Sequence, residues 1–432
     1  MTPRDGDGPA PGREARPPGH PRIARSLALA VLLVAPTPGL GQEPVAVEAP
    51  APPEPVDPLV PDTVLGAGPR PTLLILRAPG SPTVTLRVSV PLTETPLEAG
   101  AGRLLLDLGL DRARSMAGPV SARIDGKRTP EGIAWSVTGA MEDLDYLTFL
   151  LRVATAEPRA GRIDFQRARA ALLEEVRRAS ETPSGLVGRL LREKAFPGTP
   201  PIAGTVGSLE TMTPGVLRDL WLRTHDPSRM SLLVVGDVPR ELLYLSVDGL
   251  GAPADVAPPD PPERTPPTRG ADPEVLRRWF GEARVLPDPW DPRGRVAAIL
   301  VADHMRGVAT SFEAHVELWQ AGGQRALAVM GAAYSRAAGT MRSRVRGTLA
   351  ETSEELTEAE VSAAVARLRR DVLFGARTAW GRAEAVGRHL EATGGRGFRP
   401  WIEALDAVTL DSMKAYLTEL AAITPVRTEV TP

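Results

Sequence analysis

Residues 98–110 read EAGAGRLLLDLGL, a glycine-rich start leading into a leucine-rich helix. Arg103 and Asp107 stand four apart, so their side chains share one helix face and predict an ion pair worth about 0.2–0.5 kcal/mol. Leu106, just before Asp107, carries no group able to move a proton or bind a metal. The chain holds five histidines, and none falls between His20 and His225. This helix therefore has no imidazole on any face.

Outward from that stretch the pattern alternates between strands and helices. Residues 83–90, TVTLRVSV, put Val84, Leu86, Val88 and Val90 on one face, as a half-buried strand requires, and residues 133–138 predict a second strand. Residues 143–156 place Leu144, Leu147, Leu151 and Val153 at helical spacing, and Leu172, Leu173 and Val176 repeat the pattern in 165–179, FQRARAALLEEVRRA. Residues 213–238, TPGVLRDLWLRTHDPSRMSLLVVGDV, predict a Thr-led helix and then a returning strand at 231–236. The order of strands, helices and a final strand implies helices packed on a sheet of mixed direction. The second half repeats the plan loosely. Residues 295–302 read as a strand or a short buried helix, 358–374 as an amphipathic helix opened by Thr357, and 409–420 as a Thr-led helix parallel to that at 213–222.

In order and separation, the stretches 98–110, 165–179 and 213–238 resemble the first half of a pitrilysin/insulinase-type zinc metallopeptidase, the family that includes mitochondrial processing peptidase. The resemblance extends over about 73–432. It implies an α+β fold of two tandem related domains, each a mixed, mainly antiparallel sheet with helices packed on one face, together a half-clam around a peptide cavity. Family members carry an inverted motif, His-x-x-Glu-His, whose histidines grip one zinc while the Glu acts as general base on the bound water. Its positions here are Arg103, Leu106 and Asp107, or Leu104, Asp107 and Leu108 when the register slides by one. Neither register restores a ligand. Glu175 matches the family's third ligand and stands without its partners. The resemblance thus implies a degenerate member with no catalytic residue, no metal and no cofactor. The zinc-lacking chain of a family pair often supplies an Arg and a Tyr that grip the substrate backbone, and Arg325 and Tyr334 fall in that region.

At 432 residues the chain is long enough for two domains, and a net charge of −2 gives no electrostatic case for nucleic acid. Residues 1–41 read as a signal peptide: Arg13, Arg16, Arg22 and Arg25 precede the apolar run 26–35, and small residues end at Gly41. The absence of cysteine excludes both disulfides and a lipidated N-terminal Cys. The expectation is a periplasmic or secreted protein with no membrane segment after cleavage. Residues 42–71 read as a Pro-rich disordered leader, and 251–270, GAPADVAPPDPPERTPPTRG, as a Pro-rich linker between an N-terminal peptidase-like domain (72–250) and a C-terminal one (271–432).

Other constellations carry little. His304, His315 and His389 lack the helical spacing of a metal site. The run 315–319, HVELW, taken as helical, points His315 and Glu317 apart. Gly322-Gly323 and Gly394-Gly395 mark turns or helix ends without a phosphate-loop tail, and no Gly-x-Ser-x-Gly occurs. The leading expectation is a non-catalytic homologue that partners a zinc-bearing subunit and helps bind unfolded peptide. One alternative is a structural assembly protein, as core subunits of bc-type complexes resemble inactive members of the family. The other is an active metallopeptidase using Asp107, Glu174 and Glu175 as substituted ligands.

Overall fold

The strand Thr83–Pro91 (β3) is buried on both faces. The apolar set Val84, Leu86, Val88 and Val90 faces the N-terminal half's own helices, as the alternation predicts. The polar set Thr85, Arg87 and Ser89, which a half-buried strand would leave in water, is buried too, and Arg87 is 0% exposed. What covers that face comes from the far end of the chain.

In the computed structural model, residues 60, 63–65, 71–158, 161–239, 277–393 and 397–431 are described. The signal peptide, the linker 251–270, Gly394-Gly395 and most of the leader lie outside them. Thr72–Arg77 (β2), β3, Arg123–Thr129 (β4), Gly132–Ala140 (β5) and Ser231–Gly236 (β6) form one sheet. Three residues inside the segment read as leader, Thr63–Leu65 (β1), add an edge strand to it, because Thr-Val-Leu is a short strand-forming island between prolines. The order is β1-β2-β6-β3-β5-β4, and only the β2–β6 pair is parallel. The helices Ala101–Ser115 (α1), Leu144–Thr155 (α2), Arg162–Glu181 (α3), Pro183–Ala195 (α4), Val206–Thr211 (α5) and Pro214–Thr224 (α6) belong to this half.

The second sheet is wholly antiparallel, in the order β10-β7-β9-β8, from Arg278–Val285 (β7), Glu313–Ala321 (β8), Gln324–Ala333 (β9) and Val426–Val430 (β10). Its helices are Pro292–Val308 (α7), Ala338–Glu355 (α8), Glu358–Gly375 (α9), Ala379–Thr393 (α10), Phe398–Asp406 (α11) and Leu410–Ala422 (α12). Thr357 caps α9 and Thr409 caps α12, as their positions predict. Two readings are corrected. Residues 295–302 lie inside the 17-residue α7, whose start is set by Asp291 and Pro292 rather than by the apolar run. The run 315–319 is part of β8, so His315, Glu317 and Trp319 share one face; the Trp319 indole N–H donates to Glu317 (2.5 Å) and His315 stacks on Trp279. Gly322-Gly323 is the β8–β9 turn, both residues in the left-handed region.

All described residues fall in one compact unit, and an exchange of helices shows why. Each sheet carries its own helices on one face and one helix of the other half on the opposite face. On the second sheet α4 inserts Val187, Leu190 and Leu191 among Trp279, Ala283, Met330 and Val430. On the first, α10 crosses β3, and Glu384 and Glu391, two turns apart on one helix face, both reach Arg87. Arg87 donates to Glu391 through Nε (3.1 Å) and Nη2 (2.8 Å), pairs with Glu384 through Nη1, and also reaches Ser136 Oγ (3.3 Å). Ser89 donates to the same Glu391 oxygen. Gly387 sits between the two acids, where a Cβ would lie 2.5 Å from Arg87 Nε, so only glycine lets the helix come this close. No described helix is long and apolar enough to cross a membrane.

Removing one member of a buried charge cluster strands the others. Arg87→Ala leaves Glu391 without its cation and Glu384 with only the exposed Arg388 (3.6 Å), and is expected to cost about 3–5 kcal/mol, read from urea unfolding of the whole chain. Arg87→Met combined with Glu384→Gln and Glu391→Gln should recover most of that loss; no recovery would mean the cluster matters for shape rather than charge.

Candidate functional site

The start of α1 is held in place by two local devices. Gly100 takes φ +90°, and a Cβ there would lie 2.9 Å from the Ala203 carbonyl oxygen, so the helix begins where two backbones touch. Glu94, almost wholly buried, accepts from the Gly102 N–H (2.6 Å) and from Arg128 of β4 (3.0 Å). Burial raises the Glu94 pKa, and the Arg128 charge opposes that rise. Neither residue was singled out from sequence; a lone Glu eight positions before a glycine carries no pattern.

From that start, α1 presents Arg103 and Asp107 on one face. Arg103 Nε donates to both Asp107 oxygens (3.1 and 3.0 Å), the pair that the i, i+4 spacing predicts. Arg103 Nη2 also reaches Glu175 Oε2 of α3 at 3.6 Å. The structure thus brings together three of the four residues aligned with the metal motif, with a guanidinium between two carboxylates. Burial raises the Asp107 pKa; Arg103 opposes the shift, while Glu175 and Asp111 add to it. Leu106 is 3% exposed and packs against Gly126 of β4, in the core rather than at the face.

Zinc does not fit this set. Arg103 has no lone pair to offer, Leu106 has no donor atom, and the two carboxylates that remain suit hard cations better than zinc. Both are already engaged by Arg103. Glu174, the other acid of the run, pairs with Arg178 (3.1 Å). Among the described residues no group of three or more His, Cys, Asp or Glu side chains is arranged to hold a metal.

The histidines are spread over separate environments. His304 lies near Glu351 (3.5 Å) and Glu355 (3.4 Å), and His389 sits edge-on to Phe398. His225 is enclosed behind α1 beside Trp135 and stacked on Trp221, at the wall of a cavity of about 330 Å³. Burial pulls its pKa down to about 3, so it is neutral in the folded chain.

Arg325 and Tyr334 are not brought together. They stand at the start and just past the end of β9, nine residues or about 30 Å apart along a continuous strand. Arg325 lies over the Trp290 ring (4.3 Å) and is half-buried; Tyr334 is 54% exposed under Arg277.

By sequence alone, no protein-family model and no curated protein matches the chain. Solved structures do match it in three dimensions. A protease from Helicobacter pylori superposes with a TM-score of 0.72 at 12% identity, over 86% of this chain and 100% of that one. A peptidase M16 inactive domain from Pseudomonas fluorescens gives 0.69 at 13% identity, over 86% and 97%. A chain of complex III2 from Candida albicans gives 0.66 at 13% identity, over 83% and 93%. The protein has the fold of M16 peptidases, the fold that the pitrilysin-type resemblance implies.

If Arg103 occupies the place of a metal, returning imidazoles there should return the metal. Arg103→His with Asp107→His leaves a His-His-Glu set with Glu175 and is expected to hold about one zinc per chain by elemental analysis, where the parent holds none. It should remain inactive, since Leu106 is not a base.

His225 generates a pH prediction. Its folded pKa, about 3, lies below the unfolded value of 6.5, so the unfolded chain binds the extra proton between these values and stability falls with falling pH. Above about pH 6.5 the contribution is fully present. His225→Phe keeps a ring between the tryptophans and should flatten the decline in urea stability between pH 6.5 and 4. An unchanged slope would assign the acid sensitivity to groups other than His225.

Proposed function

We propose that the protein is a non-catalytic peptidase homologue that binds extended peptide and closes around it together with a zinc-bearing chain of the same fold. One observation carries this reading: Arg103 bridges Asp107 and Glu175, with Leu106 turned into the core, on an otherwise intact scaffold. Loss of the metal leaves the cavity walls in place, and enclosing a peptide needs shape and backbone contacts rather than a metal.

The edge strand β4 supports peptide binding. Among the described residues it pairs only with β5, and an extended peptide can add to such an edge through its backbone. An added strand competes there with two local bonds, Arg114 to the Ile124 carbonyl (3.3 Å) and Asp125 to the Gly126 N–H (2.8 Å). The basic and apolar order of residues 13–41 supports export to the periplasm or exterior. A second reading, a purely structural subunit, draws on the likeness to a chain of complex III2.

Mixing with a zinc-bearing homologue from the same organism distinguishes the two. The expected result is a complex on size-exclusion chromatography and faster peptide cleavage than by the zinc-bearing chain alone, with no cleavage by this chain alone. Arg325→Ala and Tyr334→Ala, made separately because the residues lie far apart, should lower cleavage without dissolving the complex if each touches peptide. Complex formation with no gain in cleavage would favour the structural reading.

A further inference from the structure

Behind α1, on the side of the helix turned away from Arg103 and Asp107, lies the cavity of about 330 Å³ that His225 borders. Leu105 and Leu108 of α1 give it an apolar side. Its buried wall holds three rings, with His225 5.7 Å from Trp135 and 5.3 Å from Trp221. We propose that this cavity is a binding site for a small, uncharged carboxamide, whose carbonyl accepts from Trp135 Nε1 and whose N–H donates to the Ala154 carbonyl, with His225 Nε2 as a second acceptor. The inference is independent of the peptide-binding reading, because the cavity and the β4 edge are separate places on the first half.

Three polar atoms of the residues in that wall have no hydrogen-bond partner among the described residues. The first is the indole N–H of Trp135, a buried donor. The second is the Ala154 carbonyl. The helix α2 ends at Thr155, and the helical donor for this oxygen would be the backbone of residue 158, which is Pro158 and has no N–H. The third is His225 Nε2. Thr224 donates its single hydroxyl proton to the Leu220 carbonyl (2.8 Å), so in the 3.1 Å contact between Thr224 and His225 Nδ1 the imidazole is the donor, and Nε2 is left as a bare acceptor. The first two atoms meet at Gly109 of α1, where a Cβ would lie 2.3 Å from the Ala154 oxygen and 3.0 Å from Trp135 Nε1. A donor and an acceptor therefore stand side by side, and any side chain at Gly109 would displace them.

Nothing in the wall asks for a charged ligand. His225 is held neutral by burial. The charged residues of the wall, Asp111, Asp164, Arg112 and Arg167, are two of each sign. Arg167 donates to Asp164 (3.0 Å), and Arg112 donates to the carbonyls of Ala156 and Glu157 (2.9 Å each). A polar atom buried without a partner is costly, and a carboxamide brings an acceptor and donors on one flat group. Water is the competing occupant. It offers the same hydrogen bonds but has no apolar body to set against Leu105 and Leu108.

The test is an NMR titration of the whole chain, followed at the indole N–H resonances of its seven tryptophans, that of Trp135 being assigned by its loss in Trp135→Phe. The probes are benzamide, benzoate and toluene, which set an amide, a charge and neither on one ring. Benzamide is expected to shift the Trp135 resonance and to bind about tenfold tighter than toluene, the worth of one or two hydrogen bonds. Trp135→Phe should abolish that advantage and His225→Phe should reduce it. If Trp135→Phe fails to fold, the three probes on the parent chain still decide. Equal binding of benzamide and toluene would make the cavity merely apolar, and tighter binding of benzoate would make it an anion site; either overturns the inference. No binding of any probe would mean that water alone occupies the space, and overturns it too.

Discussion

One buried arginine determines how the halves meet. Arg87 stands in the middle of the first sheet on the face opposite that sheet's own helices, and no solvent reaches it. A guanidinium enclosed there needs anions, and the acids it pairs with among the described residues, Glu384 and Glu391, lie about three hundred residues later, on α10. Because the penalty for an unpaired buried charge amounts to several kcal/mol, α10 cannot leave the sheet without breaking both ion pairs at once. Charge fixes the position, and apolar contact extends it: Leu76, Leu233 and Val235 of the first sheet lie in the core of the second half. The reciprocal placement of α4 on the second sheet uses apolar side chains instead. The two crossings are alike in architecture and different in chemistry.

A guanidinium between carboxylates also links α1 to α3. At the positions that the resemblance aligns with a metal motif, Arg103 holds Asp107 and Glu175. The guanidinium does part of the mechanical task of a zinc ion, linking two helices through their carboxylates, without its chemistry. These pairs are a third to a half exposed, so their individual energies are small. The helix itself is held by the buried Glu94–Arg128 pair and by the backbone contact at Gly100. The placement of α1 therefore rests on these buried contacts and does not depend on a metal at the Arg103 face.

The elements most legible from sequence were those whose signal is local. The helices at 144–155, 358–375 and 410–422 follow from 3.6-residue periodicity and Thr caps, and the Arg103–Asp107 pair from spacing on one helix. What was not legible depends on contacts distant in the chain. The alternation in β3 shows an apolar face and a polar face, and sequence alone assigns the polar one to water; only the arrival of α10 makes it interior. Residues 315–319 failed for a different reason, since five residues with mixed side chains satisfy either period. Pairing with β9 decides for strand, and brings His315, Glu317 and Trp319 onto one side.

The same dependence on distance explains why the stacking of Arg295 and Arg325 on tryptophans gave no signal. Arg295 and Arg325 sit on a helix and a strand thirty positions apart, each followed by apolar residues that dominate any local reading. Their shared feature is the tryptophan beneath each one, and neither tryptophan is near its arginine at helical spacing. Stability does not ask for such an arrangement: a leucine on either ring would bury apolar area without enclosing a charge. Part of the cost of that charge is offset by acids that are also far away in the chain, Asp371 acting on Arg295 and Glu131 on Arg325.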